Sequence, residues 1–412
     1  MSHLLPTYGK FPLTVVRGDG CRVWDDTGRE YLDFCAGIAT CSIGHCHPSL
    51  TQTISDQAAT LIHCSNLYHI EQQEQLARVL VEDIVKSPGK IFFSNSGAEA
   101  NDGMIKAARK FGNTNPSNNG APRYEVITFS SSFHGRTLGS MAATAQKKIQ
   151  SGFEPMLPGF KYVPFNDVDA LRASISDHTV GIMLEPIQGE GGINEATPEF
   201  LQHIAALCKE HDLLLMLDEI QCGMGRTGTI NGWQSICPEL QPDTISWAKG
   251  MGGGFPIGAF YVSDRLINHE RIELSSLMNA GSHGSTYGGN PLACAASLTV
   301  INTILENDLC GNASSQGKLI QDEIKAWQHH AIKNTRGKGL LLGIALNPEA
   351  FHPKEGVTPA LELCLALMQN GLLTVPAGPD TLRLLPPLNV SASEVAEALK
   401  ILKNTLDSHS KI

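Results

Sequence analysis

Two uninterrupted apolar runs, Val180–Leu184 and Leu213–Leu217, constrain this chain more than any other feature. A strand wetted on one face alternates polar with apolar residues, so runs without alternation are strands buried on both faces. Between them, Glu199–Glu210 has helical spacing, with Phe200, Ile204 and Leu207 on one side. Strand, helix, strand in this order requires a crossover connection, and so predicts a mostly parallel sheet with helices packed on it. Ile91–Phe93, Val126–Phe129 and Ile245–Ala248 are further strand candidates. The ends read differently. Val15–Val23 and Gly28–Phe34 suggest a meander turning at Asp25, Asp26 and Gly28. The C-terminal third mixes a helix, Ala293–Leu305, with short strands near Gly339–Leu346 and Thr381–Leu385. At 412 residues the chain exceeds one simple core. The expected organisation is a large α/β domain over 51–300, flanked by a small composite α+β domain built from 1–50 and 301–412.

A hydrophobic fraction of 42% and a charged fraction of 17% belong to an ordinary globular protein. The net charge of −10 argues against a nucleic-acid or anionic-membrane partner. No apolar run is long enough to span a bilayer, and the first residues lack the basic start and apolar stretch of a secretory signal. Eleven cysteines without a regular frame suggest reduced thiols and a cytoplasmic location. Cys41, His45, Cys46 and His47 resemble a metal cluster, but neighbouring side chains diverge and no paired second half follows, so no metal is expected. A turn with Pro48 opening the next helix is the plainer reading.

Gly223-Met-Gly-Arg-Thr-Gly228 matches G-x-G-x-x-G and would suit a nicotinamide-dependent oxidoreductase. Residues 218–222 intervene between strand and glycines, however, and no amphipathic helix begins after Gly228. Asp218 is more informative, because an acid at the C-terminal end of a buried strand sits where α/β sheets place their ligands. Burying it requires a fixed cation or a cationic ligand. Lys249 ends another strand-like run and precedes Gly250 and Gly252–Gly254. A lysine that holds an aldehyde covalently and an acid that keeps a pyridine nitrogen protonated are what pyridoxal-phosphate chemistry needs. Ser96-Gly97-Ala98 opens a predicted helix, Ala98–Lys110, where capping and free backbone amides favour a phosphate.

With these residues in place, the chain resembles the class III, fold-type-I pyridoxal-phosphate aminotransferases, and among them the acetylornithine aminotransferases, from Pro12 to Pro387. The likeness is carried by Asp33-Phe34 with Gly44–Pro48, by Ser96–Asn101, Phe133–Thr137, Glu185–Gly192, Asp218–Gly228 and Ala248–Gly250. His283–Pro291, Arg336–Gly339 and Arg383 before Pro386-Pro387 complete it. It implies a seven-stranded large-domain sheet and pyridoxal 5′-phosphate as cofactor. Lys249 would be the Schiff-base lysine and proton shuttle, and Asp218 the partner of the pyridinium. Gln221 would bond the phenolic oxygen and Phe133 stack on the ring. Ser96, Gly97 and Ala98 would hold the phosphate, with Ser285 and Thr286 reaching the neighbouring active site of a homodimer. Arg136 would clamp a substrate carboxylate, while Glu190 masks Arg383 until 2-oxoglutarate arrives. Ile38 and Tyr8 are placed on the substrate side.

The implied reaction moves the δ-amino group of an N-acylornithine to 2-oxoglutarate, yielding glutamate. Ile38, where ornithine enzymes of the family tend to carry tyrosine, and Ala377–Asp380 favour the N-acetyl substrate. Succinylornithine, free ornithine and 4-aminobutyrate are alternatives, as is a glutamate-1-semialdehyde aminomutase. Gly103 and Met104 are unusual inside the phosphate helix, where glycine costs up to about 1 kcal/mol of propensity.

Overall fold

The computed structural model describes residues 3–117, 119–267 and 272–410. Its centre is a seven-stranded sheet in the order Gly89–Ser94, Gly258–Ser263, Thr244–Trp247, Leu214–Asp218, Thr179–Leu184, Glu125–Phe129, Phe160–Val163. Six strands run parallel, and only Gly258–Ser263 opposes its two neighbours. The strands Thr179–Leu184 and Leu214–Asp218 are buried at every position, as their unbroken apolar runs predict. The helix between them spans Pro198–Glu210 and buries Phe200, Leu201, Ile204, Leu207 and Cys208 against the sheet. Thr197 starts it by accepting from the Phe200 amide, with Pro198 in the first turn where no amide partner is needed.

The helix after the first sheet strand runs from Gly97 to Thr114, longer than expected, and takes up the start of the polar stretch after Asn113. Gly103 faces Phe260 of the antiparallel strand so closely that a Cβ atom there would stand 2.2 Å from Phe260 Cε1. The glycine that weakens the helix locally is therefore what lets it lie on the sheet. Gly103→Ala is expected to lower stability by about 1–3 kcal/mol, because overpacking outweighs the gain in helix propensity. A urea-denaturation midpoint equal to or above the wild type's would refute this.

The two chain ends fold together. Val15–Asp19, Arg22–Asp25 and Glu30–Asp33 form an antiparallel meander, completed in parallel by Leu372–Leu373. A second small sheet joins Ile332–Lys338, Leu341–Leu346, Thr381–Leu384 and Val375–Pro376. The polar strand Ile332–Lys338 lies at the edge of this sheet and gives no apolar signal in the sequence. His45 turns to Asp33, with Nε2 2.7 Å from Oδ2. Among the described residues no three His, Cys, Asp or Glu side chains are grouped to hold a metal.

The Gly223–Gly228 segment is a buried turn. A Cβ on Gly225 would meet Leu388, Cys310 and Ile304 within 3.3 Å, and one on Gly228 would meet Ser314. Arg226 between them is buried and donates to the carbonyls of Leu340 and Pro386. The next helical element is a four-residue 3-10 turn, Gly232–Ser235. Protein fills the space a pyrophosphate would need, which removes the dinucleotide reading.

Candidate active site

Asp218 ends a central strand and its side chain is buried. Its Oδ2 accepts from Asn101 Nδ2 at 2.8 Å and lies 2.7 Å from His134 Nδ1. Asn101 is itself fixed, donating to the His134 carbonyl at 2.7 Å and accepting from Ser246 Oγ at 2.7 Å. Burial lowers the His134 pKa, but hydrogen bonding and attraction to Asp218 outweigh it, so the net shift is upward. A histidine thus faces the aspartate in place of an arginine, the partner its burial first suggests. Among the described residues Oδ1 accepts only the Ile220 amide, at 3.1 Å, and has capacity left for a cationic N–H from the cavity.

Lys249 follows the neighbouring strand at φ +43°, a left-handed conformation that non-glycine residues rarely adopt. Its amine has no hydrogen-bond partner among the described residues. Burial lowers its pKa, with the Glu190 charge opposing and Arg383 assisting, which enlarges the unprotonated, nucleophilic fraction.

Both side chains line one cavity of about 450 Å3. Ser96, Gly97, Ala98, Phe133, Arg136 and Gln221 line it too, with Thr40, His134 and Glu185. Ser96 caps the helix by accepting from the Glu99 amide at 3.3 Å. The Gly97 and Ala98 amides have no acceptor among the described residues and open the positive end of an 18-residue helix. Arg136 is exposed at the rim, its guanidinium 5.8 Å from the Phe133 ring centroid.

Beside the cavity, fully buried Arg383 donates through Nη1 to Glu190 Oε1 at 2.5 Å, to Gln221 Oε1 at 2.7 Å and to the Gly189 carbonyl at 2.8 Å. The Gln221 amide also donates to Glu190, at 3.2 Å, so both its ends are engaged by the ion pair. Burial would raise the Glu190 pKa, but attraction and hydrogen bonding to Arg383 win and lower it.

Besides Glu190 and Arg383, four further expected residues lie outside this wall. Ile38 is half-buried at φ +61° in a left-handed turn that leads to Thr40. Tyr8 is 81% exposed. Ser285 accepts from Asn95 Nδ2 at 3.1 Å, one residue removed from the cavity, and Thr286 is exposed. A larger hollow of about 930 Å3, lined by Asn66, Gln73, Phe93, His283 and Ser285, contains neither Lys249 nor Asp218. Sequence reasoning missed Asn101, His134 and Glu185 as members of the site. Two signals were available: Asn101, a polar residue on the buried face of its helix, and Glu185, an acid directly after a buried strand.

The family model "Aminotransferase class-III" matches residues 5–406. The acetylornithine aminotransferase of Caldanaerobacter subterraneus is 45% identical over 406 residues, 98% of this chain and 97% of that protein. Among solved structures, the ornithine aminotransferase of Toxoplasma gondii, whose active site was found partly occupied by pyridoxal phosphate, superposes with a TM-score of 0.89 at 28% identity. That match covers 99% of this chain and 92% of the other. The N-acetylornithine aminotransferase of Stenotrophomonas maltophilia has a TM-score of 0.80 at 36% identity, covering 97% of each chain.

Proposed function

The chain belongs to the class-III aminotransferase family, and from that premise we propose that it moves the δ-amino group of N2-acetylornithine to 2-oxoglutarate. The products are N-acetylglutamate 5-semialdehyde and glutamate, a step of arginine biosynthesis, and the cofactor is pyridoxal 5′-phosphate. The observation that carries this reading is the convergence on one cavity of a buried aspartate with a lysine amine and two helix-end amides that have no hydrogen-bond partner among the described residues. These residues fit the cofactor: Lys249 for its aldehyde, Asp218 Oδ1 for its ring nitrogen, Gly97 and Ala98 for its phosphate, Phe133 for its face. When bound, pyridoxal phosphate supplies an electron-accepting ring next to the substrate carbon. The protein's own part is to fix Asp218 through Asn101 and His134, to offer Lys249 as base and acid, and to orient the substrate by its carboxylates.

Arg136 stands at the rim for a carboxylate common to donor and acceptor. Arg383 is masked by Glu190 while the amine donor binds and takes the α-carboxylate of 2-oxoglutarate once Glu190 withdraws. The N-acetyl substrate is favoured by the identity to an acetylornithine enzyme along nearly the full chain. The backbone likeness to an ornithine enzyme keeps free ornithine as the second reading. We further propose a homodimer in which exposed Thr286, with Ser285, serves the partner's phosphate site, and a cytoplasmic location consistent with eleven free cysteines. Residues 1–50 and 301–412 form one domain around 51–300, a division supported by the pairing of Leu372–Leu373 with Leu32–Asp33.

A panel of amine donors with 2-oxoglutarate tests the substrate. N2-acetylornithine is expected to exceed ornithine and 4-aminobutyrate in kcat/KM by about tenfold or more. A preference for either unacylated amine would overturn the acyl assignment and leave the chemistry standing.

A further inference from the structure

We propose that Glu185 is a positioning residue for the acceptor half of the reaction, its carboxylate tying the Gly189 peptide that holds Arg383 to the backbone of Phe133. The proposal rests on the aminotransferase reading of this cavity. Glu185 directly follows the strand Thr179–Leu184 and is 4% exposed. Oε1 accepts the Phe133 amide at 2.9 Å and Oε2 accepts the Gly189 amide at 3.1 Å. The Gly189 carbonyl in turn accepts from Arg383 Nη1 at 2.8 Å. One carboxylate therefore fixes both the residue expected to face the cofactor ring and a peptide that grips the substrate-binding arginine. When Glu190 swings away to admit a dicarboxylate, Gly189 keeps Arg383 in place, and Glu185 keeps Gly189 in place.

Among the described residues, the carboxylate of Glu185 accepts only these two backbone amides and forms no salt bridge. Burial raises its pKa, His134 pulls it down and Asp218 pushes it up, to about 7. Lys249 and Cys222 also feel its charge, and Glu190 and Arg383 lie beyond Gly189. Ionised, the group accepts both amides. Protonated, one oxygen carries a hydrogen that faces an N–H, and one of the two bonds is lost. The tether is thus intact above about pH 7 and loosened below it.

Half-reactions of the holoenzyme and of Glu185→Gln, measured on both sides of neutrality, test this. The glutamine has one acceptor oxygen and presents its amide hydrogens to the second N–H. At alkaline pH the variant is expected to raise KM for 2-oxoglutarate about tenfold, the equivalent of one hydrogen bond in a charged network. KM for the amine donor, which does not use Arg383, should stay within about twofold. The wild type's loss of 2-oxoglutarate affinity on acidification should be absent from the variant. Equal rises in both KM values, or an unchanged acidic limb, would overturn the proposal. If Glu185→Gln does not fold, Glu185→Asp is read by the same criteria, since it keeps the charge but is too short to span both amides. Absence of amine exchange by the wild type in either half-reaction would instead overturn the parent reading, and this inference with it.

Discussion

A chain with alanine in place of Lys249 is expected to lose about four orders of magnitude in kcat, the upper range for a residue that moves protons at the reacting carbon. Folding should be spared. The amine makes no hydrogen bond among the described residues, and its burial is a cost to the folded state, so the denaturation midpoint should stay near the wild type's. The backbone at φ +43° holds strain of about 1–3 kcal/mol, which alanine keeps and glycine would relieve. Lys249→Gly should therefore be at least as stable as Lys249→Ala, and as inactive. The visible absorption that the wild type gains with pyridoxal phosphate should be missing from both. An alanine variant that turns over within tenfold of the wild type would remove Lys249 from the chemistry.

Asp218→Asn is expected to lower kcat by about a hundred- to a thousandfold, as for other losses of a preorganised charge in a dry site. The substitution preserves shape but leaves nothing to hold a ring nitrogen positive. It has a second signature in stability. The folded-state pKa of His134 is raised by Asp218 above its ordinary value of 6.5. A group raised in this way contributes stability that is fully present below its unfolded pKa and is lost as pH rises through its folded pKa. With asparagine the contribution is gone, so the stability deficit of the variant should be largest in acid and shrink as pH rises. A deficit independent of pH would show that His134 is not charged beside Asp218. Unchanged kcat would show that no cation is held at Oδ1.

Much of the fold was legible in the sequence because burial writes a pattern. Thr179–Leu184 and Leu214–Asp218 lie in the middle of the sheet, where both faces need apolar side chains. The helix Pro198–Glu210 must show its apolar stripe to them. Gly258–Ser263 was not foreseen, since it enters from a glycine-rich loop with only a 3-10 turn, Lys249–Gly252, before it and runs against its neighbours. Ile332–Lys338 was missed because an edge strand with a wet face has no need of apolar residues. For the site, Asp218, Lys249 and Ser96–Ala98 were legible because each carries its chemistry in its residue type and stands at the end of an element. His134 and Asn101 were not, as they act on Asp218 across 84 and 117 residues of chain.

Residue order alone pointed to the layered α/β architecture, to Lys249 and Asp218 as residues that line one cavity, and to the family to which the chain belongs. The architecture and the pair follow from local rules, in which periodicity reports burial and a charged residue at a strand end reports a ligand, and the family from the resemblance of motifs along the chain. Tertiary structure decided the rest. It set His134 rather than an arginine against Asp218, filled the Gly223–Gly228 turn with protein, and made Gly103 a contact with Phe260. It also placed Glu185 between Phe133 and Gly189. Each of these depends on distances between segments remote in the chain, and such distances exist only once the backbone has closed on itself.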